Sequence, residues 1–208
     1  MVDVRIESVA EPLARSPRAV SLAFGLLARA QVMGLLPEDI EQPMRLDAGL
    51  LARIADEFEA AGVATHAAAR LRLEEPQLEE ALEATLEALD ASPQPEGEWE
   101  PARELLGDDL LGRILGGVSS SSIRRYATGL RETPDDVAWR LHAVARILAS
   151  LIGSYNDYGI RRWFERRRSA LGGKTPAQML ARARDEDDLG LAKVLDLAGA
   201  LVGAGAAT

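Results

Sequence analysis

The chain has 208 residues, 47% of them hydrophobic and 27% charged, with no cysteine and only two histidines, His66 and His142. It can therefore form no disulfide, thiolate nucleophile or cysteine metal site, and two isolated histidines exclude a histidine-rich zinc site. The net charge of -9 is unevenly laid out: residues 1–100 carry 8 arginines against 20 acidic side chains, and 101–208 carry 16 basic against 13 acidic. An acidic chain opposes indiscriminate nucleic-acid binding but leaves room for a local basic face. No apolar run approaches the roughly 18 residues of a membrane span. The opening MVDVRIESVAEPLARSP lacks the basic-then-apolar order of a secretory signal. A cytoplasmic chain without membrane contact is expected.

Ala, Leu, Arg and Glu dominate, and the periodicity is helical nearly throughout, so the expected class is all-α. Ser16-Pro17 is an N-cap and N1 pair, opening a helix that runs to about Gly34. A second helix is predicted over 47–61, with Leu50, Leu51, Ile54 and Phe58 on one face and Gly62 as its stop. A third covers about 65–73. A fourth, 76–89, sets Leu78, Leu82, Leu86 and Leu89 in one stripe. These make an acidic helical region, 1–90. The following stretch, ASPQPEGE at 91–98, has proline, glycine and polar residues without periodicity and reads as a linker. Beyond it, helices are predicted over 100–106, 108–115, 119–128, 134–152, 157–168, 176–184 and 188–203.

Residues 108–129, DDLLGRILGGVSSSSIRRYATG, have the layout of a helix-turn-helix: an apolar helix, a glycine pair, then a helix that begins with small polar residues. Small side chains let a helix N-terminus approach a phosphate backbone closely, and its dipole and free N–H groups favour anions. Ser119, Ser120, Ser121 and Ser122, with Arg124 and Arg125, are the candidate DNA contacts. The competing reading makes Ser119 a plain N-cap and the arginines a solvated face. Ile123 and Val118 are expected to face the core. Thr133-Pro134 is predicted to cap the next helix, with Asp135 and Asp136 complementing its dipole. Its buried stripe is Val137, Leu141, Val144, Leu148, Leu151 and Ile152, with Trp139 and His142 at the edge as packing residues. This organisation gives a helix-turn-helix domain at 99–153 and a C-terminal helical domain at 154–208.

Gly173-Lys174-Thr175 spells the end of a phosphate-binding loop. In the pattern G-x-x-x-x-G-K-[ST], however, the first glycine falls on Arg168. A basic helical segment precedes it instead of a strand, and Pro176 makes Thr175 an N-cap. Gly172 and Gly173 are read as a helix stop, and Thr175-Pro176 as a restart with Met179 and Leu180 turned inward. A last helix carries Leu191, Val194, Leu195, Ala198 and Leu201. No polar constellation converges as an enzyme requires, so neither catalysis nor a cofactor is expected. The acid runs Glu57-Glu59 and Asp185-Asp187-Asp188 are read as solvated faces, not as metal sites.

The order Trp163, Leu171-Gly172-Gly173-Lys174-Thr175-Pro176, Met179-Leu180 and an apolar terminal helix resembles the toxin-binding domain of the Xre/MbcA/ParS antitoxins. Upstream, Gly117-Val118-Ser119, Arg125-Tyr126, Gly129 and Thr133-Pro134-Asp135 are similar to that family's Xre-like helix-turn-helix. The resemblance covers about 105–203. It implies a non-enzymatic antitoxin that binds and neutralises a RES-domain toxin, which consumes NAD or transfers ADP-ribose from it. It also implies that the pair represses its own operon as a homodimer or larger hetero-oligomer. The toxin-facing residues it implies are Trp163, Lys174, Thr175, Pro176, Met179, Leu180, Leu191, Val194 and Leu195. Two departures stand out: the acidic stretch ARDEDDLG before the last helix, and the region 1–90, which lies outside the pattern. A stand-alone DNA-binding regulator, with 1–90 as a sensor or oligomerisation region, is the alternative.

Overall fold

The computed structural model describes residues 4–37, 39–40, 42–72 and 77–205, with side chains described to Leu201. It is mostly helical. Helix α1 (Pro17–Val32) starts where Ser16 Oγ accepts the Ala19 N–H, and α2 (Ala48–Ala60) where the Asp47 carboxylate accepts from Leu50 N. The third predicted helix is a short α3 (Thr65–Ala68) that tightens into a 3-10 turn over 69–72, and α4 (Leu78–Asp90) follows. The predicted start at Pro76, and Leu73, lie outside the described residues.

A small sheet was not expected. Strand β1 (Ile6–Val9) pairs in parallel with β2 (Met44–Leu46), setting Ile6 opposite Met44 and Val9 opposite Leu46. A parallel pair needs a long crossover, which α1 supplies. The alternation of Val4 and Ile6 with polar residues was the available signal, and it puts Val4 in the core together with Met44 and Leu46.

The stretch read as a linker is largely structured. Helix α5 (Pro95–Ile114) begins inside it with Pro95 in its first turn, and both Glu98 and Trp99 are buried. Gly107, at φ 75° and ψ 154°, breaks α5 into two segments whose buried faces differ. The elements on the two sides of 91–98 share one core, with α1 packed on α4, α5 and α7.

Helix α7 (Asp135–Leu151) is the central post, packed against α1, α5 and α10. Its burial is wider than the predicted stripe, because Ala143, Ala145, Ile147 and Ala149 are covered too, as befits a helix with neighbours on several sides. Its N-cap is Pro134, not Thr133. The Thr133 hydroxyl instead accepts from the Trp99 indole N–H at 2.9 Å, since a buried indole needs an acceptor. The remaining helices are α6 (Ser120–Ala127), α8 (Asp157–Glu165), α9 (Pro176–Leu180) and α10 (Leu189–Gly205). Among the described residues, no helix is long and apolar enough to cross a membrane.

His142 is an interior residue. Its Nδ1 lies 2.5 Å from Glu98 Oε1, and its Nε2 lies 3.1 Å from the Asp90 carbonyl oxygen. A carbonyl only accepts, so Nε2 carries a hydrogen. The Asp90 carboxylate bridges Arg29 Nε at 2.7 Å and Arg146 Nη2 at 2.9 Å, and Arg29 also donates to the Arg146 carbonyl at 2.6 Å. One polar cluster thus ties α1, α4, α5 and α7 together.

Candidate functional site

The turn between α5 and α6 is built by close backbone approach. Gly117 N and Val118 N both donate to the Gly112 carbonyl, at 2.9 and 3.1 Å. Gly112 faces the Val118 carbonyl so tightly that a Cβ would overlap its oxygen. Gly116 and Gly117 take φ of 82° and 94°, which glycine adopts cheaply. The turn aims α6 outward, with Ile123 and Tyr126 buried beneath it and Tyr126 stacked on Trp99 at 5.7 Å. Gly112→Ala is therefore expected to lower stability by about 1–3 kcal/mol through overpacking. Urea unfolding checks this, and an unchanged midpoint would contradict the close approach.

The four serines are not equivalent. Ser119 caps α6, its Oγ accepting from Ser122 N at 3.2 Å, and it also meets the Ser121 and Ser122 hydroxyls. Ser120 Oγ donates to Asp109 Oδ1 at 3.2 Å. The serine run thus serves the helix start first, as the plainer sequence reading had it. Asp109 also places a carboxylate beside the first turn of α6. Arg124 and Arg125 are exposed and, among the described residues, have no carboxylate partner.

A cleft of about 670 Å³ separates α6 from α8, with Gly107, Asp109, Arg113, Ser120, Arg124, Arg161 and Glu165 on its walls. Arg161 donates from Nε to the Leu105 carbonyl at 2.6 Å and from Nη2 to Glu104 O at 3.3 Å. It thereby ties α8 to the carbonyls just before the break at Gly107. Arg113 and Glu165 bridge α5 and α8 at 2.9 Å. Gly112, Asp109 and Arg161 were not singled out from the sequence. A glycine inside the apolar run LLGRIL was the available signal for the first of them.

In the C-terminal module, Asn156 caps α8 through Gly159 N at 2.9 Å, and Ile160, Trp163 and Phe164 are buried. Trp163 meets Phe164 edge-on at 5.2 Å. The LGGKT segment folds as an architectural turn. Gly172 and Gly173 have φ of 63° and 79°, Arg168 N donates to the Lys174 carbonyl at 3.0 Å, and Thr175 forms a full capping box with Gln178 at α9. The acidic stretch before α10 also has a local role, since Asp188 Oδ1 accepts from Gly190 N at 2.7 Å and Leu191 N at 3.3 Å. These backbone donors hold its carboxyl below the ordinary aspartate range.

The residues implied as toxin-facing divide by burial. Trp163, Pro176, Leu180, Leu191 and Val194 lie inside the chain's own core. Lys174 is exposed, and Thr175, Met179 and Leu195 are half-buried. Leu189, not singled out before, is 79% exposed at the start of α10. No protein-family model, curated protein or solved structure matches this chain.

Proposed function

We propose that the chain is an antitoxin that binds a RES-type, NAD-consuming toxin through the outer surface of its C-terminal module. The observation that carries this reading is the order of parts on one core. The glycine-turned pair α5–α6 is followed by the tryptophan helix α8, the Gly172-Gly173 turn, the Thr175 capping box and the apolar helix α10. The candidate contact residues are those with free surface: Lys174, Thr175, Met179, Leu195 and Leu189. Apolar side chains left uncovered on α10 suit a partner that buries them.

The test is affinity purification of the tagged chain from its native host. A stoichiometric partner is expected that stops growth when expressed alone and consumes NAD unless this chain is added. Leu189→Asp, at a side chain 79% exposed, should release that partner while leaving the fold intact. Deleting 160–208 is the wrong comparison, because it would strip Phe164 and Val194 from the core. A partner with no such toxicity would overturn the proposal.

A second reading, operator binding through α6, is favoured by Arg124 and Arg125, which are exposed and, among the described residues, have no carboxylate partner. Changing both to Ala should abolish binding to an operator fragment.

A further inference from the structure

We infer that the nucleic-acid surface extends beyond α6 onto α8 and the turn after it, where Arg162, Arg166, Arg167 and Lys174 contact duplex phosphates. The inference rests on the duplex-binding reading of α6. It begins with how this chain treats its cations. From Arg15 to Arg103 every arginine has a carboxylate partner: Arg15 with Glu11, Arg18 with Glu79 and Glu83, Arg29 with Asp90, Arg45 with Asp47, Arg53 with Asp39, Arg70 with Glu80, Arg72 with Asp56 and Glu59, Arg103 with Asp108. The pattern then changes. Among the described residues, Arg124, Arg125, Arg162, Arg166, Arg167 and Lys174 have no carboxylate within bridging distance, and all six are exposed. The acid nearest to Arg162 and Arg166 in sequence, Glu165, is held by Arg113.

Arg124 on α6 and Glu165 on α8 flank the same cleft, whose walls also carry Asp108 and Asp109, so the α8 cations adjoin α6 across it. Ile160, Trp163 and Phe164 occupy the inner face of α8, so Arg162 lies on the outer one, and Arg166 follows as the residue that ends the helix. The turn folds back on itself through Arg168 N to Lys174 O, and Arg167 Nη1 lies 3.4 Å from the Gly173 carbonyl, which brings Lys174 beside the arginines. Clustered like charges repel one another, and a polyanion relieves that repulsion by releasing its own counterions. Duplex is favoured over an extended strand because these cations adjoin α6, whose small-residue start suits a groove.

The experiment is fluorescence anisotropy of the full chain with a labelled 30-base-pair duplex of random sequence, from 30 to 200 mM KCl. Three proteins are compared: wild type, the quadruple variant Arg162→Ser, Arg166→Ser, Arg167→Ser and Lys174→Ser, and the pair Arg124→Ala and Arg125→Ala. The quadruple variant should lose at least about tenfold in affinity, and its log–log salt slope should fall by about 3. Lysine at the three arginine positions should keep the slope, and circular dichroism should be unchanged in every variant. An unaltered slope in the quadruple variant, alongside loss of binding in the α6 pair, overturns the inference and leaves the α6 reading standing. Loss in the quadruple variant with an unaffected α6 pair sinks the α6 reading and, with it, the claim that the surface extends from α6. No binding of duplex by wild type at 30 mM KCl, or equal binding of a single strand, overturns the assignment.

Discussion

His142→Ala is expected to destabilise the protein by about 2–4 kcal/mol, because it leaves the buried Glu98 side chain without its hydrogen-bond partner and opens a cavity. Glu98 has no exposed surface, and its second oxygen, Oε2, already lacks a partner. With the imidazole gone, Oε1 keeps only a 3.3 Å contact from Gln94 N. The Asp90 carbonyl loses its donor as well. An ordinary domain is stable by about 5–15 kcal/mol, so a loss of this size can consume most of the margin. The double replacement Glu98→Leu with His142→Leu removes the stranded polar group and should be about 2 kcal/mol more stable than His142→Ala, since apolar groups of similar shape replace a buried hydrogen-bonded pair at little cost. Urea midpoints of wild type and both variants decide it. A double variant no more stable than the single one would show that packing, not the stranded carboxylate, sets the penalty.

Trp163→Ala should cost a similar amount, about 3–5 kcal/mol, because it empties a large site in a core that cannot fully collapse. The indole is 2% exposed and lies edge-on to Phe164. The Arg168 guanidinium stands 5.5 Å from its ring centre, with a buried Nε that has no hydrogen-bond partner. Removing the ring takes away the face on which that cation rests. Lys174→Ala, by contrast, touches exposed surface and should change stability by less than about 0.5 kcal/mol. The contrast bears on function. Partner binding lost in Trp163→Ala reports a damaged fold, whereas binding lost in a stable Leu189 or Leu195 variant reports a contact. A Trp163→Ala protein with an unchanged urea midpoint would mean that the ring is not a core member.

The helix starts were legible because a cap is a local device. Ser16, Asp47, Ser119 and Thr175 each bond a donor three residues ahead, so the signal lies within one turn. What was not legible depends on residues far apart. β1 needs a partner nearly forty residues away, and the short alternation around Ile6 does not say where that partner lies. His142 pairs with Glu98 across 44 positions, from a stretch whose prolines and glycine suggested a linker. Periodicity also cannot say what an apolar face meets. Leu191 and Val194 turn to the core while Leu189 turns to solvent, though all three are apolar residues of one helix.

The shared core gives the charge layout a direction. Because α1 is locked to α7 through Arg29, Asp90 and Arg146, the acidic first half cannot swing independently of the arginines on α6 and α8. In any electric field the two halves therefore turn as one body, and their charges act together.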